Sequence, residues 1–271
     1  MTALESTTGQ PLDAVQKAAH DQFGRQSHRY ARGHILEDVT DVEAALRHVR
    51  LPARARVLDV ATGAGYTGLH LAALGHDVTL SDLTEPMLER ARENSTKRGL
   101  KARFCSHTAE CMPHPDASFD LVTCRVAPHH FSAPDRFITE VARVLASGGW
   151  LLLIDGTVPD DEPEAEAWLH QVEKLRDPSH HRFLTPREWT TLCTAQSLSV
   201  RVSELHPKKQ PDLDWYFDTA GTSPENRQHV LDLIARAPES ARRLFELNQE
   251  DGRIVWWWPI LTLAAQKQDR G

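Results

Sequence analysis

The chain has 271 residues, of which 40% are hydrophobic, enough for a sizeable core in one α/β domain or two smaller ones. A formal net charge of −7 argues against a general nucleic-acid-binding or anionic-membrane surface. The four cysteines form no CxxC pair, so we expect reduced, mostly structural thiols. The N-terminus lacks a signal-peptide pattern, and the longest apolar run, Ile254 to Ala265, is too short to cross a bilayer. We therefore expect a cytoplasmic protein without a membrane span.

The first predicted unit is an N-terminal helical cap over residues 1–50. Residues 12–49 have helix-compatible apolar spacing, with breaks expected near Gly24 and Gly33. The pair Leu51-Pro52 ends this region, because proline has no N–H to donate and disfavours helix in the residue before it.

Strands and helices then alternate, which predicts a parallel sheet with helices on both faces and a ligand at the carboxyl ends of the strands. Thr84 is a good N-cap for the second helix of this series, and Gly99 a good stop. The predicted strands are Arg56–Val60, Asp77–Ser81, Ala102–Ser106, Phe119–Cys124 and Trp150–Asp155, and the helices between them are Gly65–Leu74, Glu85–Arg98 and 134–145.

The C-terminal part is less regular. Thr185 begins a helix with proline at its first position, and a sixth strand is predicted at Ser199–Leu205. A helical excursion over 211–250 precedes the last strand, Ile260–Ala265, whose start should be marked by Pro259. We predict one domain over 51–271, with substrate-cap insertions at about 157–184 and 206–252.

A glycine loop between two acids is the main chemical signal. Residues 63–68 match the G-x-G-x-x-G pattern of dinucleotide-binding proteins, which alone is a weak signal. An ionised Asp59 at this turn would repel a pyrophosphate but attract a cation. Asp59 and Asp82 therefore favour S-adenosylmethionine (SAM), which carries a sulfonium, an amino group and a ribose diol.

The chain resembles the class I SAM-dependent methyltransferases, of the small-molecule type related to the ubiquinone and menaquinone biosynthesis enzymes (methyltransferase type 11). The resemblance spans about residues 23–205. It implies a Rossmann-like, doubly wound, seven-stranded α/β sheet whose antiparallel last strand lies inside the sheet, with a helical cap. The motifs that carry it are Asp59-Val-Ala-Thr-Gly-Ala-Gly65, Asp82, Ala109-Glu110-Cys-Met-Pro113, Ser118-Phe-Asp-Leu-Val122 and Arg143-Val-Leu-Ala-Ser-Gly-Gly149 with Trp150–Asp155.

The resemblance also implies the cofactor site. Asp82 would accept hydrogen bonds from the ribose, and the loop glycines would give backbone access. Ala61 stands where the family often has glycine, a mild change if its φ stays negative. Thr108 stands where the family often has an Asp that contacts adenine, and it would accept a hydrogen bond without charge assistance. The expected SAM-binding residues are Asp59, Ala61, Thr62, Gly63, Gly65, Asp82, Leu83, Met87, Thr108, Ala109, Glu110 and Arg125.

Methyl transfer is an in-line displacement, so alignment of the acceptor can supply most of the catalysis and a base is optional. His129 and His130, after the fourth strand, are the candidate catalytic residues; the alternative for each is to line the pocket. Arg125 would either tie the loops of the site together or bind a substrate carboxylate. No metal site is expected, because the histidines at 170, 180 and 181 lack further ligands at suitable spacing.

The acceptor is expected to be a small molecule, methylated on O, N or C. Residues 127–130 read Ala-Pro-His-His, unlike the Asn/Asp-Pro-Pro-aromatic motif of enzymes that methylate base amino groups. Two other hypotheses stay open: a non-catalytic SAM-binding regulatory or scaffold protein, and a nicotinamide-dependent oxidoreductase, against which Asp59 argues. The excursion over 211–250 is compatible with a lid or with a homodimer contact.

Overall fold

A seven-stranded mixed sheet organises the chain. The computed structural model describes residues 11–29, 34–210 and 212–268, so Gly33, where we expected a helix break, lies outside the described residues. The strands, numbered along the chain, are β1 Arg56–Val60, β2 Asp77–Asp82, β3 Arg103–Ser106, β4 Phe119–Arg125, β5 Leu145–Gly156, β6 Leu198–Lys209, β7 Asn248–Glu250, β8 Arg253–Val255 and β9 Trp257–Lys267. Strands β7 and β8 form a separate two-stranded sheet.

Ten α-helices are found among the described residues. Most of them flank the sheet or build a cap beside it, and none is both long and apolar enough to cross a membrane. They are α1 Ala14–Gln26, α2 Thr40–Leu46, α3 Tyr66–Ala73, α4 Glu85–Lys97, α5 Pro134–Val144, α6 Pro163–Arg176, α7 Pro186–Ala195, α8 Leu213–Ala220, α9 Pro224–Ala235 and α10 Glu239–Leu244.

The strand order confirms the predicted topology. It runs β3-β2-β1-β4-β5-β9-β6, with β1 to β5 parallel and β9 antiparallel to both of its neighbours. The last strand therefore lies inside the sheet, and β6 forms the edge. Because the order reverses between β1 and β4, the carboxyl ends of β1, β2 and β4 meet at one crevice, where ligands bind in such sheets.

Three apolar clusters hold these layers together. Two cover the opposite faces of the sheet, centred on side chains such as Leu58 and Val57 that alternate along β1. The third lies in the cap formed by α6, α8, α9 and α10, where Trp168 stacks on Phe245 with ring centroids 5.7 Å apart. The insertions thus have a core of their own.

Some predicted boundaries were wrong. Helix α1 continues through Gly24, because a single glycine inside a helix costs only about 1 kcal/mol relative to alanine. Helix α6 was not predicted, and the excursion over 211–250 ends in strand β7 rather than in helix. The capping box at the start of α7 was predicted correctly: Thr185 and Glu188 bond each other's backbone N–H groups.

Pro259 lies inside β9 rather than at its start. The pairing of β9 with β5 ends at Ile260, whereas the pairing with β6 continues to Trp257. The carbonyl of Pro259 accepts from the Thr157 N–H at 3.0 Å, so its nitrogen faces the side on which β5 has ended. Proline is tolerated there because no ladder hydrogen bond is lost.

Candidate active site

The carboxylate of Asp59, near the end of β1, is hydrogen-bonded to the glycine loop. Asp59 is 1% exposed, and its carboxylate accepts hydrogen bonds from the Thr123 hydroxyl at 2.6 Å, the Thr62 hydroxyl at 2.5 Å and the Gly68 N–H at 3.0 Å. Burial raises the pKa of Asp59, while these hydrogen bonds and Arg125 act in the opposite direction. All of its polar contacts therefore organise the loop and its surroundings.

The loop itself depends on left-handed backbone conformations. Gly63 and Gly65 have φ of 55° and 84°, and nothing lies within 4 Å of the place where a Cβ on Gly63 would stand. A ligand can therefore approach the backbone there closely. Ala61 also has a positive φ, 53°, so the condition under which alanine would be a mild change at this position is not met. The alanine keeps a conformation that glycine adopts at lower cost, of the order of 1 kcal/mol.

Asp82, at the end of β2, completes the loop. Its Oδ2 accepts from the Gly63 N–H at 2.9 Å, and its Oδ1 accepts from both the N–H and the hydroxyl of Thr84 at 2.9 Å. The Thr84 hydroxyl thus bonds Asp82 and does not cap α4. Burial raises the pKa of Asp82, against the lowering effect of these donors.

A cavity of about 870 Å³, which we call the loop cavity, lies in front of this loop. Most of the residues predicted to bind SAM line it, together with His130. Asp59, Gly65 and His129 are outside the lining. The predicted residues that face the cavity are Ala61, Thr62, Gly63, Asp82, Leu83, Met87, Thr108, Ala109, Glu110 and Arg125.

The far end of the loop cavity is built by the segment after β3. Thr108 is 6% exposed, and its carbonyl receives the Cys111 N–H. Glu110 accepts from Gln16 of α1 at 3.0 Å and from the Ser132 N–H at 3.1 Å. This carboxylate therefore joins three separate segments around the cavity.

Arg125 fastens the N-terminal segment to the end of β4. Its guanidinium donates to the Asp41 carboxylate at 2.9 Å, the Leu36 carbonyl at 2.9 Å and the Asp38 carbonyl at 2.6 Å. Of the two roles expected for Arg125, these contacts support the tying of loops, since Nε and both terminal nitrogens already have acceptors.

The loop after β4 separates the first cavity from a second one. Val126 has a φ of 52°, a rare conformation for a β-branched residue, and its N–H donates to the Ile154 carbonyl at 2.7 Å. Backbone strain of this kind concentrates at functional sites. Val126 lines both cavities, as do Phe23, Leu36 and His130.

The two candidate histidines differ in environment. His129 Nδ1 is 2.7 Å from Asp155 Oδ1, and its backbone N–H donates to Asp155 Oδ2 at 2.9 Å. Burial alone would lower the pKa of His129, but the charge of Asp155 and the hydrogen bond to it outweigh burial and raise that pKa. Burial and the neighbouring His129 lower the pKa of His130 to about 3. Its Nδ1 lies 3.1 Å from the Ser179 carbonyl.

The second cavity, which we call the histidine cavity, has a volume of about 1070 Å³. Its walls include His129, His130 and an aromatic set made of Phe23, Phe183, Trp215 and Trp258. Three further tryptophans, Trp168, Trp189 and Trp256, are buried in the core and the cap. Of the charged residues that line this cavity, Arg176 is paired with Glu173 at 3.1 Å and Asp41 is paired with Arg125, while Asp177 and Lys208 also face it.

Asp155 is the main residue that sequence reasoning missed. It ends β5 just as Asp59 and Asp82 end their strands, and this repeated position is the signal that could have identified it. No such signal identifies Phe23 or the Arg176–Glu173 pair. These residues belong to helices that are distant in sequence from the strand ends, and only the fold brings them to the cavity.

A family model described as a methyltransferase domain matches residues 58–153. The uncharacterized methyltransferase YcgJ of Bacillus subtilis (strain 168) is 32% identical over 250 residues, which cover 91% of this chain and 98% of YcgJ. A demethylmenaquinone methyltransferase of Thermus thermophilus is 39% identical over 106 residues, 38% of this chain and 48% of that relative.

Solved structures give the same result. The crystal structure of YcgJ superposes with a TM-score of 0.81 at 29% identity, covering 86% of this chain and 100% of that one. A putative methyltransferase of Bacillus halodurans superposes with a TM-score of 0.79 at 30% identity, covering 85% and 100%.

Proposed function

The chain belongs to the family of SAM-dependent methyltransferases, and on this premise we propose that SAM occupies the loop cavity and a small-molecule acceptor the histidine cavity. The observation that carries the proposal is the boundary between the cavities, formed by Phe23, Leu36, Val126 and His130. A methyl group at this boundary would face an acceptor directly, as in-line transfer requires. The open space beyond the loop after β4 favours turnover over the scaffold hypothesis.

The residues of the loop cavity suit the parts of SAM. Asp82 Oδ2 accepts from the Gly63 N–H, and a carboxylate oxygen can accept a second hydrogen bond, here from a ribose hydroxyl. The buried apolar side chains of Met87 and Ala109 would pack against adenine. The carboxylates of Asp82 and Glu110 suit a cationic ligand better than a pyrophosphate.

His129 and Asp155 form the dyad that we assign to proton transfer. Asp155 accepts from Nδ1–H of the neutral ring, which leaves Nε2 as the base for an O–H, N–H or acidic C–H of the acceptor. His130 would line the boundary instead, because its lowered pKa makes it a weak base. The paired charges and aromatic walls of the histidine cavity favour an acceptor with a planar apolar part. The cytoplasmic location, the absence of nucleic-acid acceptors and a homodimer remain predictions.

Binding and product formation test this function together. Calorimetry should show one SAM per chain, and fluorescence titration should show no comparable binding of NADH. Incubation with SAM and a panel of planar phenols, quinols and amines should release S-adenosylhomocysteine with at least one of them. Binding of NADH in preference to SAM would contradict the cofactor assignment, and SAM binding without turnover on any acceptor would favour the scaffold hypothesis.

Replacing His129 with glutamine should lower kcat about 10²-fold or more with the acceptor so identified, because a positioned base contributes roughly 10²–10⁴. In the wild type, activity should fall as the pH drops through the pKa of His129, because protonation of this residue removes the base. That pKa is raised above the ordinary value of 6.5. Asp155→Asn should move this acid limb to lower pH. His181→Gln, at an exposed neighbouring histidine, is the control. An unchanged pH profile in Asp155→Asn would exclude the dyad.

A further inference from the structure

Three side chains with metal-binding atoms meet at one wall of the loop cavity, which His107 itself lines. They are Cys105 in β3, His107 just after it and His114 further along the following loop, and their ligand atoms all lie within 4.8 Å of one another. This is the one group of three or more His, Cys, Asp or Glu residues with such spacing in the part of the chain that the structure describes. None of the three has a role in the proposed methyl transfer.

Each of the two imidazoles has a buried nitrogen without a hydrogen-bond partner. His107 is 2% exposed, and its Nδ1 lies 2.9 Å from the Thr108 carbonyl. A carbonyl can only accept, so Nδ1 carries the hydrogen and the lone pair is on Nε2. That Nε2 is buried without a hydrogen-bond partner, as is the Nε2 of His114. Two buried nitrogens of adjacent rings, whose centroids are 5.2 Å apart, are thus available to bind a common ligand.

We propose that Cys105, His107 and His114 bind one Zn²⁺ ion, with water as the fourth ligand. Thiolate and imidazole together favour zinc over magnesium or calcium, which prefer oxygen. Tetrahedral zinc with bonds of about 2.0–2.3 Å needs ligand atoms roughly 3.3–3.6 Å apart. Small side-chain rotations close the remaining distance, and the hydrogen bond to Thr108 holds His107 in the ligating tautomer.

The ion would brace one wall of the loop cavity. His107 and His114 bracket the segment that carries Thr108, Ala109 and Glu110, and the backbone N–H of His107 donates to the Asp82 carbonyl at 3.2 Å. A metal joining the two ends of this segment to β3 would restrict its motion. The proposal concerns metal binding itself and stands whether or not SAM binds in the cavity.

The test is metal binding to the whole chain, in the absence of SAM. After removal of metals with a chelator, Zn²⁺ should bind with a stoichiometry of one per chain in competition with a chromophoric indicator. Co²⁺ should produce a near-ultraviolet thiolate charge-transfer band. Cys105→Ser should abolish this band and weaken Zn²⁺ binding at least about 100-fold, because loss of a group that merely orients a ligand already costs about 10–100-fold.

His114→Gln, at a half-buried loop residue, is the second variant and should weaken Zn²⁺ binding by a similar factor. Cys111→Ser changes a half-buried thiol of the same loop outside the group, and should retain the band and the affinity. Circular dichroism identifies a variant that fails to fold. If either Cys105→Ser or His114→Gln does not fold, the other of these two variants tests the proposal. Binding of no ion, or an ion whose affinity is unchanged in a folded Cys105→Ser or His114→Gln variant, would overturn the proposal.

Discussion

Asp82→Ala is expected to weaken SAM binding by about 10–10²-fold. A hydrogen bond to a charged group contributes about 1.5–3 kcal/mol, and Asp82 Oδ2 has capacity for one ribose hydroxyl. Asp82 is 8% exposed at the floor of the loop cavity, so water cannot easily replace its carboxylate. The substitution also removes the acceptor of the Gly63 N–H, which loosens the glycine loop and acts in the same direction.

Calorimetry with SAM and with S-adenosylhomocysteine measures this effect. Asp77→Ala is the matched control, because Asp77 lies at the other end of β2 and is paired with Arg54 at the surface. Its affinity for SAM should match the wild type. A folded Asp82→Ala variant that binds within about threefold of the wild type would remove the main contact assigned to the ribose.

Stability should fall steeply as the pH decreases from about 6.5 toward 4. Burial, reinforced by neighbouring positive charge, lowers the pKa of His130 to about 3 and lowers that of His180 as well. Below pH 6.5 the unfolded chain binds protons at both residues and the folded chain does not. These two residues should therefore contribute a decrease in the free energy of unfolding of up to about 3 kcal/mol per pH unit.

His129 acts with the opposite sign in a different window. Its pKa is raised in the folded state, so its stabilising contribution is fully present below pH 6.5 and is lost as the pH rises through the folded value. Urea unfolding at pH 5, 6, 7 and 8 separates the two effects.

Two variants control this measurement. His180 has no hydrogen-bond partner on either ring nitrogen and packs against Phe183, with ring centroids 4.7 Å apart. His180→Phe therefore loses no hydrogen bond and should reduce the slope by about 1.4 kcal/mol per pH unit. His229→Gln, at an exposed residue, should not alter it. Equal stability of the wild type at pH 5 and pH 7 would contradict the buried, neutral histidines.

Local sequence signals located the elements of the sheet well. Strand β1 has the predicted bounds, and β2 extends only one residue further, to Asp82. Apolar runs between turn residues suffice to locate these strands, because both of their faces are buried. The insertions were harder: α6 carries both charged and buried side chains over 14 residues, and its identity depends on the cap core it packs into.

The sequence by itself determined the class of fold and the cofactor end of the site, because these depend on residues close together along the chain. The glycines and the acids at strand ends can be interpreted within a single β-turn-α unit, without knowledge of distant contacts. Only the tertiary structure decided the roles of those acids. Asp59 accepts hydrogen bonds from the glycine loop and does not line the cavity, whereas Asp82 lines it. The tertiary structure also paired His129 with Asp155 and placed Cys105 near His107 and His114. Such contacts between separate strands and loops follow from sheet order and packing, which no local pattern specifies.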